Sequence, residues 1–199
     1  MILVFASSNP HKIDEIKALL PKHIQLLGLK DIGFQSEIPE TADTIEGNAA
    51  LKAGCIYNYL KNNPAYNHVY GVIADDSGLE VEALGNKPGV YSARFAGEPK
   101  NDDANNQKLL KELQNITSRQ ARFKTVICLT TKGNTICFEG LVKGTIAYEQ
   151  RGGSGFGYDP LFIPQGYRST FAELGAEIKN SISHRANAVK KLLLHLSEM

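Results

Sequence analysis

Two adjacent carboxylates, Asp75 and Asp76, stand directly after an apolar run at residues 69–74 and are followed by Ser77 and Gly78. Carboxylate oxygens are the ligands Mg²⁺ prefers, and a carboxylate beside a bound metal can also orient or deprotonate a water. Successive side chains of extended backbone point to opposite faces, so one of the pair is expected to face a cleft. A tight Asp-Ser-Gly turn, with one carboxylate acting as a cap, is the competing reading of the same residues. Near the start, Ser7, Ser8, Asn9, Pro10, His11 and Lys12 join an apolar run to a helix start, offering hydroxyls, backbone N–H groups and one ammonium to a phosphate. The GxxxxGK[ST] pattern of a Walker loop is absent.

Three further groups could complete such a site. Glu40 lies in an aperiodic stretch, and Asn48 and Lys52 fall one helical turn apart just beyond it. A carboxylate there would add to a metal site and a lysine would neutralise phosphate charge, although acids and lysines near helix starts are usually solvated. The run GGSGFGYDP at residues 152–160 pairs a flexible backbone with Phe156 and Tyr158, which could offer an aromatic face to a base, with Gly157 and Asp159 beside them. Lys179, His184 and Arg185 supply donors where the last amphipathic stretch begins.

The elements that must hold these groups follow from periodicity. Residues 2–6 read as a buried strand, and Asn9 as an N-cap with Pro10 at the first helical position leads a helix up to Pro21. A strand at 24–29, a loop at 33–43 and a long helix from Thr44 to before Asn62 come next. A strand at 69–74 runs into the carboxylate pair, residues 79–84 alternate, and 85–99 form a Gly- and Pro-rich excursion. A helix at 102–113 precedes an antiparallel hairpin, 121–131 and 135–148, turning at Lys132, Gly133 and Asn134. A short strand at 161–163 and a helix from about His184 to Leu196 close the chain. Strands alternating with helices before a late hairpin imply an α/β protein with a mixed sheet, whose ligand sits at strand ends.

Composition narrows the class. With 199 residues, 42% apolar and 22% charged, the chain can bury one substantial core and is that of an ordinary globular protein. The near balance of 22 basic against 21 acidic residues gives no field to draw it onto nucleic acid or an anionic membrane. Cys55, Cys128 and Cys137 show no CxxC spacing and leave one unpaired under any scheme, so they are expected to be buried, reduced and structural. The apolar start is too short for a signal peptide or a membrane span, which makes a cytoplasmic location the expectation.

The motifs SSNPHK, ETADTIEGNAALKA, IADDSGLEVEALGNKPGVYSARFAG, GGSGFGYDPLF and KNSISHRANA, in this order along nearly the whole chain, resemble the inosine triphosphate pyrophosphatase family. That family hydrolyses ITP, dITP and XTP to the monophosphate and pyrophosphate. The resemblance implies one domain over residues 1–199, an elongated mixed-sheet α/β fold with two lobes flanking a nucleotide cleft, and a homodimer. By motif position, residues 7–12 would hold the triphosphate, Glu40 and Asp76 would bind Mg²⁺, and Asp76 would accept the proton of the attacking water. Ser77 and Lys52 would contact phosphate, and Phe156, Gly157, Tyr158, Asp159, Lys179, His184 and Arg185 would surround the nucleoside. The choice of Asp76 over Asp75 comes from this match and not from spacing. One departure is visible: the family often has Thr-Gly-Asn where this chain has Ser7, Ser8 and Asn9. Ser8 must then avoid φ > 0 or accept strain of roughly 1 kcal/mol.

Two rival readings remain at this stage. A pyrophosphatase for modified pyrimidine or methylated nucleotides shares the fold, and the SHR run and FGYD loop speak against it. A non-catalytic nucleotide sensor or nucleic-acid-binding module is disfavoured by the near-neutral charge and the two candidate metal carboxylates.

Overall fold

An apolar run closed by Ala6 and Ser7 forms β1 (Ile2–Phe5), and Asn9 caps α1 (Pro10–Leu19) by accepting from the N–H groups of His11 and Lys12, with Pro10 in the first turn. We describe the protein from a computed structural model, in which residues 1–198 are described. β2 (Gln25–Leu27) is shorter than the periodicity predicts, because the chain turns from Gly28 onward, where Asp31 accepts from the Gly28 N–H. Thr44 caps α2 (Ile45–Leu60), which matches its expected span.

β3 (Gly71–Val81) departs from expectation. The strand does not end at Ala74 but runs through Asp75, Asp76, Ser77 and Gly78, so the Asp-Ser-Gly turn does not form. The physical reason lies downstream, where Leu79 and Val81 are buried and carry the strand's alternation onward. β4 (Lys87–Pro88) pairs antiparallel with the end of β3. After α3 (Asp102–Glu112) come β5 (Gln120–Thr131) and β6 (Asn134–Ile146), joined by Lys132 and Gly133, both at positive φ, as a two-residue hairpin turn requires. β7 (Phe162–Pro164) precedes α4 (Phe171–Ile182) and α5 (His184–Ser197).

The periodicity does not predict α4. Its Thr170–Glu173 capping box is legible in hindsight, but Gly175 at φ 77° interrupts the helical path and breaks the apolar period. The cysteine expectation is also corrected. Cys128 on β5 and Cys137 on β6 form a disulfide, with Cα atoms 4.0 Å apart, and Cys55 is a free thiol that is half-buried rather than buried. Spacing did not reveal the pair because the hairpin, not a short motif, brings it together.

The strands hydrogen-bond in the order β2-β1-β3-β5-β6-β7, with β4 beside β3. β1 is parallel to both β2 and β3, and β7 is antiparallel to β6, so the sheet is mixed as expected. The chain divides into two compact units. One holds residues 1–76, 125–140 and 185 onward, and the other holds 77–124 and 141–184. The first has a core of Leu3, Phe5, Ile73 and Ile127 under α1 and α5, which contribute Ile16, Val189 and Leu192. The second packs Leu79, Val81, Leu109, Phe123, Phe162 and Phe171. Each such side chain contributes about 1.5–3 kcal/mol on burial, enough to make both frameworks firm supports for polar groups.

Candidate active site

In the first unit the parallel register pairs Phe5 with Ile73, so two residues further along each strand the SSNPHK loop and the carboxylate pair lie at the same level. The neighbouring carboxylates then meet different partners. Asp75 is fully buried, with Lys12 Nζ 3.2 Å from its Oδ1, and accepts from Arg185 Nε and Nη2 at 3.1 and 3.0 Å. Arg185, itself buried, also donates from Nη1 to Glu15 on α1. Burial alone would raise the Asp75 pKa, but the Lys12 and Arg185 charges outweigh it and hold the carboxyl well below the usual carboxylate range. Burial pulls the Lys12 pKa down, against the attraction of Asp75. For Arg185, Asp75 and Glu15 overcome burial and raise the pKa further.

Asp76 faces a second group. α2 places Asn48 and Lys52 one turn apart, both buried rather than solvated as residues of these types usually are near a helix start. Asn48 accepts from the Ala42 N–H at 2.9 Å and donates to Asp76 Oδ2 at 3.3 Å, tying the 40s loop to β3. Lys52 donates to Glu40 Oε1 at 2.7 Å and lies 3.6 Å from Asp76 Oδ1. Burial raises the Asp76 pKa; Lys52 and Lys12 oppose it and the charges of Glu40 and Asp75 reinforce it, leaving the net shift upward. Burial disfavours the Lys52 ammonium, yet Asp76, Asp75 and Glu40 together raise its pKa.

The loop that begins α1 is internally bonded: Ser7 Oγ accepts from the Asn9 N–H at 3.3 Å, and Asn9 Oδ1 takes the N–H groups of His11 and Lys12 at 3.0 and 3.3 Å. Ser8, Pro10 and His11 are exposed. Positive φ among the described non-glycine residues falls at Asn86 and Lys132, so Ser8 takes the route that avoids strain. Glu40 and Asp76, which both meet the Lys52 ammonium, offer a donor set of the kind Mg²⁺ takes when substrate phosphates and waters fill its remaining positions. No cluster of three or more His, Cys, Asp or Glu side chains suited to a metal occurs among the described residues.

The second unit holds the other residues that the sequence singles out. Ser77 is half-buried on β3. Asp159 turns back under its own loop, accepting from the Phe156 N–H at 3.0 Å and from Lys179 Nζ at 2.5 Å. This return needs Gly155, because a Cβ there would collide with Asp159 Oδ2. The Lys179 ammonium stands 4.6 Å from the centroid of the half-buried Phe156 ring. Tyr158, expected as an aromatic face, is instead packed in the core and donates its hydroxyl to the Ser92 carbonyl at 2.8 Å. His184 is buried and stacks on Phe123 with ring centroids 4.6 Å apart. The structure therefore brings Phe156, Asp159 and Lys179 into contact with one another. It assigns the Arg185 guanidinium to Asp75 and Glu15. Sequence reasoning missed Glu15, whose only signal is its place three residues after Lys12 on α1, and also Asp102 and Asn106, which contact Gly157.

Among the described residues no helix is long and apolar enough to cross a membrane. The sequence pattern of the Ham1 family matches residues 3–195. A dITP/XTP pyrophosphatase of Christiangramia forsetii is 50% identical over 198 residues, covering 100% of each chain. A second, of Flavobacterium johnsoniae, is 52% identical over 193 residues, covering 97% of this chain and 96% of its own. The solved structure of the Staphylococcus aureus Ham1 protein superposes with a TM-score of 0.87 at 41% identity, over 100% of this chain and 99% of that one. The resemblance read from the ordered motifs thus extends over the whole length, and the chain belongs to the Ham1 family.

Proposed function

We propose that this protein hydrolyses the non-standard purine nucleoside triphosphates ITP, dITP and XTP to the nucleoside monophosphate and pyrophosphate, keeping them out of DNA and RNA. The observation that carries the reading is Asp76 held between Asn48 and Lys52, with Glu40 accepting from the same ammonium, in a chain whose relatives are named dITP/XTP pyrophosphatases. Asp76 takes a proton from water as the water oxygen bonds to the α-phosphorus, and the bond from that phosphorus to the bridging oxygen breaks to release pyrophosphate. A carboxylate fixed by Asn48 and Lys52 beside the water is placed to take this proton. Lys52, and Lys12 with the helix start at residues 7–12, balance the charge that builds on the departing pyrophosphate.

Glu40 and Asp76 would hold Mg²⁺, which would supply charge stabilisation at the phosphates. Asp75, locked by Arg185 and Lys12, keeps Lys12 in place and acts as support for Asp76. Ser77 would contact phosphate. The Phe156 ring would stack on the base, with Lys179, Asp159, His184 and the Gly157 backbone around the nucleoside. Hypoxanthine and xanthine present a carbonyl acceptor at C6 where adenine presents an amino donor, so donors in this region select against adenine. The homodimer implied by the resemblance and a cytoplasmic location are part of the same proposal, read by light scattering and cell fractionation.

The test is a panel of ITP, dITP, XTP, ATP and GTP with pyrophosphate detection, with and without Mg²⁺. The expected result is Mg²⁺-dependent turnover of the first three far above ATP and GTP. Comparable ATP hydrolysis, or orthophosphate as the first product, would overturn the reading.

A further inference from the structure

Helix α3 begins at Asp102 and carries Asn106 one turn later on the same face. Both reach Gly157, from opposite sides of its Cα. The Gly157 N–H donates to Asp102 Oδ2 at 2.7 Å, and Asn106 Nδ2 donates to the Gly157 carbonyl at 3.0 Å. One bond fixes the peptide before Gly157 and the other fixes the peptide after it, so both backbone torsions of the residue are held. Gly157 sits at φ +61°, where glycine is at ease but otherwise free to leave.

The neighbours show what depends on this. Before Gly157 comes Phe156, whose N–H is bound by Asp159 and whose ring lies under Lys179. After it comes Tyr158, anchored through its hydroxyl to Ser92. Without a hold on Gly157, the Phe156 ring and the Asp159–Lys179 pair would be free to shift against the Tyr158 anchor. The cost of the device is visible in Asn106, which is 1% exposed while its Oδ1 has no hydrogen-bond donor among the described residues. A half-satisfied buried carboxamide is a poor choice for stability alone. Its neighbour Asn105 does the ordinary structural task, accepting from Ala96 and donating to Ala93.

We propose that Asp102 and Asn106 are positioning residues that clamp Gly157 and thereby set the Phe156 ring and the Lys179–Asp159 pair for the nucleoside. The proposal rests on the reading that this loop receives the base. Asp102→Ala and Asn106→Ala are expected to raise KM for ITP about tenfold with kcat within about twofold, as lost substrate binding requires. Amide hydrogen exchange at Gly157 should accelerate in both. Asp102→Asn retains a carbonyl acceptor and should restore KM to within about threefold of the wild type. Unchanged exchange at Gly157 in both alanine variants would overturn the clamp, as would faster exchange with unchanged KM, or kcat falling in step with melting temperature at constant KM. Phe156→Ala separates the two layers: an unchanged KM there would break the assignment of the loop to the nucleoside, whatever the clamp does.

Discussion

Lys52 donates to Glu40 at 2.7 Å while its ammonium lies 3.6 Å from Asp76, so one cation keeps two carboxylates of the same unit together. Replacing it with Met leaves Glu40 and Asp76 repelling each other across the vacated space. Lys52→Met is expected to lower turnover of ITP by about 10²–10³-fold, the scale for losing one preorganised positive group. Its melting temperature in chelator should fall below that of the wild type. Because Mg²⁺ would then be the sole cation between the carboxylates, adding it should raise the melting temperature of the variant more than that of the wild type. Equal shifts in thermal melts with and without Mg²⁺ would remove Glu40 and Asp76 as the metal ligands.

The carboxylate pair predicts a division of effects. Asp76→Asn preserves the shape that meets Asn48 and Lys52 but cannot take a proton, so turnover should fall about 10²–10⁴-fold with little loss of melting temperature. Asp75→Asn strips Arg185 and Lys12 of their shared buried counter-charge and should cost about 3–5 kcal/mol in denaturant unfolding. Near-normal activity in Asp76→Asn, or equal stability of the two variants, would reverse the roles.

How much of this was legible beforehand differs by element. Asn9, Thr44 and the Lys132–Gly133 turn act through neighbours in sequence, so their effects on α1, α2 and the β5–β6 hairpin could be read directly. The types at Glu40, Lys52 and Asp76 raise the expectation of metal and phosphate chemistry, but their meeting depends on α2 bringing Asn48 and Lys52 to Asp76 on β3. Arg185 looked like a surface donor because its partners, Asp75 and Glu15, are 110 and 170 residues away. Tyr158 was read as a ring for the base for the same reason: Ser92 and the apolar cluster that enclose it are distant in the chain. Asp75 and Asp76 resembled a turn because Asp, Ser and Gly favour turns locally, and the pairing of β3 overrode that preference.

The Tyr158 hydroxyl gives a pH-dependent prediction away from the carboxylates. Burial, with smaller contributions from Asp102 and Glu112, raises its pKa above the ordinary phenol value of about 10. A folded-state pKa above the unfolded one means the folded protein holds this proton more tightly. The stabilisation is therefore fully present below about pH 10 and is lost as pH rises beyond it towards the folded value. Tyr158→Phe removes the bond to the Ser92 carbonyl and should cost about 1 kcal/mol near neutral pH. The gap in stability between wild type and variant should narrow as pH rises above about 10, because only the wild type loses this proton-linked contribution. Urea melts from pH 7 to 11 read both quantities, and a gap that stays constant or widens with pH would show that the phenol is not held neutral by its surroundings.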